Sequence, residues 1–261
     1  MLQQLITLFA ILAAFGTNVW SNVAPANGES IGEIANTRFG DVLITPANYA
    51  FIIWGVIYLG LMCFAIYQLL PAQRTNLRLR QLGYAPAIAS AAQIAWVQFF
   101  LTGRFDLSLL AMLAILLALI WGYLRAGIGS NRPARLQRWL VCIPMSTYLG
   151  WISVATVANV ATVLYERNWT GWGISPAVWT VVVVLLSGAI AAIVTLRRHD
   201  VAFPLVFVWA SVAIAVRNHS VPSIAWTAGG LAIALVVLLL FRWVPTRRLS
   251  LPDQRRGDRV H

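Results

Sequence analysis

Three short aromatic patterns carry whatever chemistry this sequence can do. Phe51, Trp54 and Tyr58 fall three and four positions apart, Gln93 and Trp96 three apart, and Tyr148, Trp151, Ala155 and Asn159 three, four and four apart. At about 100° per residue each set lies on one side of a helix, and Leu61 and Ala65 prolong the first stripe. Such faces can stack on a flat, largely apolar molecule, at about 1 kcal/mol per ring pair beyond area burial, and the carboxamides of Gln93 and Asn159 add neutral hydrogen bonds. The same spacing is also what an ordinary helix–helix contact contains, and a glutamine in lipid can serve simply as interhelical glue.

The groups that are missing narrow the chemistry further. No Asp, Glu, His or Arg falls well inside a long apolar run, and His199, His219 and His261 sit in connections or in the tail. Ion-coupled transport places ionisable groups at membrane depth, and nucleophilic or metal-assisted catalysis needs clusters of His, carboxylate or thiolate. Cys63 and Cys142 both lie within apolar runs, where a thiol is a small hydrophobe. There is no glycine-rich phosphate loop and no zinc spacing. The expectation is therefore binding by shape and stacking, with no catalytic residue, no metal ligand and no required cofactor.

The elements that must position these faces are membrane helices. Of 261 residues 60% are apolar, and the mean hydropathy is +0.76. Eight apolar runs, near 3–21, 45–70, 82–102, 107–127, 138–164, 175–196, 201–217 and 221–243, approach the roughly 20 residues that a helix needs to cross about 30 Å of hydrocarbon. The fold class is all-α, a polytopic transmembrane bundle of about eight helices in a lipid bilayer. The formal charge of +11 does not point to nucleic acid, because the nineteen basic residues, all arginine, are spread over the ends of the runs. Fifteen of them follow the second, fourth, sixth and eighth runs, while Arg38, Arg104, Arg167 and Arg217 share the other side with Glu29, Glu33, Asp41, Asp106 and Glu166. By the positive-inside rule both termini are cytoplasmic.

Local signals refine this plan. The first run reads as an uncleaved helix, since MLQQ carries no positive side chain ahead of it. Residues 22–44 form the longest polar connection, either a lid or a flexible loop, and Ile31, Ile34 and Phe39 could fold it back over the bundle. Thr45 and Pro46 look like a cap and first position for the second helix. Trp121 and Tyr123 read as interfacial-belt residues, and Pro144 as a kink opening a cavity beside Tyr148.

These residues together resemble the tryptophan-rich sensory protein family (TspO), also called the translocator protein or peripheral benzodiazepine receptor family. The resemblance covers about residues 3–169. It rests on Pro46 with Phe51, Trp54 and Tyr58, on Gln93 and Trp96 followed by Phe99 and Phe100, and on Tyr148, Trp151, Ala155 and Asn159. The chain departs from the family in having Gln93 for asparagine, a gap after Trp96 that is one residue shorter, Thr147 for proline, and three further helices. The resemblance implies a ligand-binding bundle at 1–172, an additional three-helix segment at 173–244 and a basic cytoplasmic tail at 245–261.

It also implies porphyrins or other hydrophobic small molecules as ligands, a sensory or regulatory role as receptor or carrier, dimers, and a bacterial plasma (inner) membrane. Trp54, Tyr58, Trp96, Tyr148, Trp151, Ala155 and Asn159 would line the cavity, with Phe51 and Gln93 beside them. The alternatives are light-dependent breakdown of a bound porphyrin by tryptophan, and a structural or partner-docking membrane protein.

Overall fold

Long apolar runs leave the backbone one way to satisfy its N–H and C=O groups in lipid without a closed barrel, and the chain takes it. The computed structural model describes residues 1–25, 28–130 and 133–243, and every regular element among these is helical. In order they are α1 (Leu2–Val23), α2 (Ile31–Asn36), a 3-10 turn (Asn48–Ile52) leading into α3 (Ile53–Leu69), a 3-10 turn (Pro71–Gln73), α4 (Leu77–Leu82), α5 (Ala85–Leu101), α6 (Phe105–Arg125), α7 (Arg135–Gln137), a π turn (Arg138–Cys142), α8 (Ile143–Glu166), a 3-10 turn (Gly171–Gly173), α9 (Pro176–Arg197), α10 (Ala202–Arg217) and α11 (Pro222–Trp243). The expected basic tail at 245–261 and Arg132 of the charge pattern lie outside the described residues.

Six helices, or helices joined to their leading turns, are long and apolar enough to span a bilayer. The other two apolar helices, α5 with 17 residues and α10 with 16, reach only about 25 Å at 1.5 Å per residue. Hydrophobic helices this short fit by local thinning or by packing inside longer neighbours. Here α5 lies against α1 and α6, and α10 against α8, α9 and α11.

The hub is α8, which touches α3, α6 and α10. In its most apolar stretch 67% of residues are buried, against 22% in α1, α9 and α11, whose large side chains face outward. Two glycine contacts set its neighbours at close range. A Cβ on Gly60 of α3 would lie 3.1 Å from Pro144 Cβ, and one on Gly150 of α8 would lie 3.0 Å from Val206 Cβ and 3.1 Å from the Phe203 carbonyl of α10. Small residues that let helices approach this closely substitute for a hydrophobic driving force that lipid does not supply.

Three local expectations are corrected. Thr45 and Pro46 do not start a helix: the backbone is still extended at Ala47, whose N–H bonds the Ala213 carbonyl of α10 (3.2 Å), and helical structure begins with the 3-10 turn at Asn48 and becomes α-helix at Ile53. Pro144 follows the π turn and its ring packs on Gly60, while Tyr148 beside it is buried at 2% exposure and lies outside the lining of the cavity between α3, α5 and α8. Tyr123 is no belt residue: it is buried, and its hydroxyl donates to Asp200 Oδ2 (2.8 Å), whereas Trp121 is exposed as expected.

Candidate functional site

The cavity forms where α3, α5 and α8 converge beneath the connection between α1 and α3. The 3-10 turn and the first turn of α3 supply Phe51 and Trp54, α5 supplies Trp96 and Phe100, and α8 supplies Trp151, Val154, Ala155, Ala158, Asn159 and Thr162. Ile31 and Ala35 of α2 close it from above, with Thr45 and Pro46 at the rim. Its volume is ≈ 50 Å³, and no lining side chain is ionisable. A larger hollow of ≈ 280 Å³ at the α5–α6 turn is a surface depression lined by Arg104 and by the ion-paired Asp106, Arg167 (2.9 Å) and Glu166, the last bonded to Arg38 (2.6 Å).

Aromatic edges build the wall. The Trp151 ring stands edge-on to Phe51 (6.0 Å, 84°) and to Trp54 (6.5 Å, 87°), while Trp96 lies tilted against Phe100 (5.4 Å). Quadrupole attraction favours these offset and edge arrangements over face-to-face sandwiches. The polar wall is a short chain of bonds: Trp96 Nε1 donates to Asn159 Oδ1 (2.9 Å), Asn159 Nδ2 to Ser108 Oγ (3.1 Å), and Ser108 Oγ to the Phe105 carbonyl (2.7 Å). That chain joins α5, α8 and α6 and fixes the plane of the Trp96 indole. Trp151 Nε1 is buried with no protein acceptor among the described residues.

Of the nine residues expected from sequence, Phe51, Trp54, Trp96, Trp151, Ala155 and Asn159 line this cavity. Tyr58, Tyr148 and Gln93 lie outside its lining. Tyr58 stacks on Trp54 (5.7 Å, 29°) and donates to the Ala14 carbonyl of α1 (3.1 Å), and Tyr148 packs edge-on behind Trp54 (6.1 Å, 65°). These two back the Trp54 ring. Gln93 turns inward as expected but finds no partner among the described residues: both its amide nitrogen and its oxygen are buried without a hydrogen bond. Ile31 is marked in sequence only as an apolar residue of the folded-back connection, and Thr45, Val154, Ala158 and Ala35 carry no sequence mark of a lining group, because nothing in a polar loop or an alanine-valine stretch distinguishes a wall residue.

The lid is a built element. Ser30 and Glu33 form a capping box at the start of α2: Glu33 N donates to Ser30 Oγ (3.3 Å), and Ser30 N donates to Glu33 Oε2 (2.7 Å). That backbone donor, with the Ser30 side chain, holds the exposed Glu33 carboxyl below its ordinary range. Ile31, Ile34 and Phe39 are buried, and the Phe39 ring meets Phe105 edge-on (4.9 Å) beneath the Arg38 guanidinium. Among the described residues of 22–44, the chain is folded back onto the bundle through Ile31, Ile34 and Phe39.

The family profile of TSPO-like proteins matches residues 4–241. The match runs past residue 169, where the resemblance read from sequence stops, and takes in α9, α10 and nearly all of α11. No curated protein and no solved structure matches the chain. With all-helical architecture, six helices long and apolar enough to span a membrane and a match over nearly its whole length, the chain belongs to the TSPO-like protein family and is an integral membrane protein of the TspO type.

Proposed function

We propose that the protein is a membrane receptor or carrier that binds tetrapyrroles, or hydrophobic small molecules of similar shape, in the cavity between α3, α5 and α8, and that its role is sensory or regulatory. The observation that carries this reading is the composition of the cavity wall: Phe51, Trp54, Trp96, Phe100 and Trp151 with no ionisable group. Such a wall recognises an apolar ring system by stacking and gives a charged solute no counter-ion. The buried Trp151 indole N–H is a free donor on that wall, available to a carbonyl or carboxylate of the ligand. At ≈ 50 Å³ the cavity is far smaller than the roughly 300–1,000 Å³ of sites that take drug-sized molecules, so loading requires the α2 lid to lift.

The test is a titration of the full chain in lipid nanodiscs with protoporphyrin, followed by tryptophan quenching. Saturable binding is expected. Losing two stacking rings in the Trp54→Leu, Trp151→Leu double variant removes about 2 kcal/mol, or roughly 30-fold in Kd. Unchanged affinity in that variant, with the fold intact by circular dichroism, overturns the site.

A further inference from the structure

We propose that α10 is a latch for the lid, and that Arg217 positions the lid over the cavity. Trp209, Ala213 and Arg217 recur every four residues and so occupy one face of α10. Each holds a successive point of the segment between the lid and α3. Trp209 Nε1 donates to the Ala50 carbonyl (3.1 Å), and the Ala213 carbonyl accepts from Ala47 N (3.2 Å). The Arg217 guanidinium donates to Asn36 Oδ1 at the end of α2, to the Gly40 carbonyl (3.1 Å) and to the Phe39 carbonyl (3.4 Å). Beside it, Asn218 Nδ2 donates to the Leu43 carbonyl (2.9 Å).

The chemistry of these contacts suits release. Every acceptor that Arg217 has among the described residues is neutral, so its half-buried charge is solvated by carbonyl and amide dipoles instead of being paired with a carboxylate. Charge-assisted bonds of this kind are directional and specific, and opening them separates no ion pair. The segment's ties to α8, Arg38 to Glu166 (2.6 Å) and the Tyr165 hydroxyl to Asp41 Oδ2 (3.1 Å), are exposed and worth little.

The far end of α10 is secured to the bundle. Asp200 caps it by accepting from Ala202 N (3.0 Å) and Phe203 N (3.3 Å) while receiving the Tyr123 hydroxyl, and Arg198 donates to the Ile128 carbonyl (2.7 Å). With α10 anchored there and pressed against Gly150, the lid is the partner that moves. α10 thereby sets access to the cavity, a role for the C-terminal helices that rests on the ligand-binding reading only for its purpose.

The test reads the lid itself. In the full chain in nanodiscs, with Cys63→Ala and Cys142→Ala, an Ala35→Cys thiol on the cavity side of α2 is labelled with N-ethylmaleimide. Arg217→Gln is expected to raise the labelling rate at least tenfold, Arg217→Lys by less, and Arg38→Gln by less than twofold. Asn36→Asp, which keeps an acceptor for Arg217, should raise it less than Asn36→Ala, and Asn36→Ala should raise it less than Arg217→Gln, since it removes one of the three acceptors of Arg217. If Arg217→Gln does not fold, Asn36→Ala is read in its place. An unchanged rate in Arg217→Gln, or an equal gain in Arg38→Gln, overturns the latch. Faster labelling in Arg217→Gln with no protoporphyrin binding in any variant supports the latch and sinks the receptor reading.

Discussion

Replacing Asn159 by leucine cuts the polar chain that ties α8 to α5 and α6 and keeps the branched shape of the side chain in a larger, apolar form. Two interhelical bonds go: the one from Trp96 Nε1 (2.9 Å) and the one to Ser108 Oγ (3.1 Å). Ser108 keeps its bond to the Phe105 carbonyl, so its hydroxyl is not orphaned. Trp96 is 5% exposed, and its indole N–H has no second acceptor among the described residues. Interhelical bonds within membranes average about 0.6 kcal/mol each, which gives about 1.2 kcal/mol for the pair. A buried donor left unpaired costs about 1–3 kcal/mol, and this desolvation penalty decides the outcome.

The expected destabilisation is therefore about 1–3 kcal/mol, concentrated on Trp96. A double-mutant cycle isolates it, because in a Trp96→Phe background there is no donor to orphan and Asn159→Leu should cost about 0.6–1.7 kcal/mol less. The assay is reversible unfolding in mixed micelles of the wild type, both single variants and the double variant. Additivity within about 0.3 kcal/mol would falsify the claim that the bond organises the wall.

Gln93 gives a prediction of the opposite sign. Both ends of its buried amide lack partners, so Gln93→Leu should stabilise the protein by about 1–2 kcal/mol in the same unfolding assay, and a loss of stability would mean that the amide is satisfied in the membrane. Gly150→Leu drives a side chain into Val206 and the Phe203 carbonyl, should cost about 1–3 kcal/mol by overpacking, and should shift α10; an unaltered unfolding midpoint refutes the close approach. The Glu33 capping box has a pH signature. Its carboxyl is depressed from an ordinary 4.5, so its stabilisation of α2 is present above that value and lost as pH falls through the depressed one. Amide-exchange protection at Glu33 and Ile34, corrected for intrinsic rates, should drop between about pH 6 and about pH 3, and Glu33→Gln should remove that drop. Protection that is flat with pH in the wild type refutes the role.

Much of the architecture is legible in the chain because lipid is a demanding solvent. Apolar runs without mid-span charge can only be helices there, so the number and approximate limits of the eight apolar helices follow from composition. The limits that fail do so for tertiary reasons. Helical structure begins at Asn48, after an extended Ala47 whose N–H bonds Ala213, 166 residues further on. Pro144 packs on Gly60 of another helix, and the cavity is lined by Ala155 and Asn159 further along α8.

The candidate site divides in the same way. Helical spacing marks Trp54, Trp96, Trp151, Ala155 and Asn159 as face-forming, since periodicity is a property of one segment, and all five do line the hollow. Periodicity cannot say which of two rings on a face is wall and which is backing, so Tyr58 and Tyr148 come out behind Trp54. Nor can it pair a polar group with its acceptor: Gln93 and Asn159 look alike in sequence, yet Asn159 meets Trp96 and Ser108 while Gln93 meets nothing among the described residues.

The sequence by itself determined an uncharged, aromatic, membrane-embedded chemistry, because residue type and helical period are local and survive without knowledge of neighbours. Only the tertiary structure decided that α2 lies folded over the bundle, that the hollow beneath it is ≈ 50 Å³, and that α10 bonds residues 36–50 through Trp209, Ala213 and Arg217. Those are contacts between segments more than 150 residues apart, and nothing in either segment alone specifies the other.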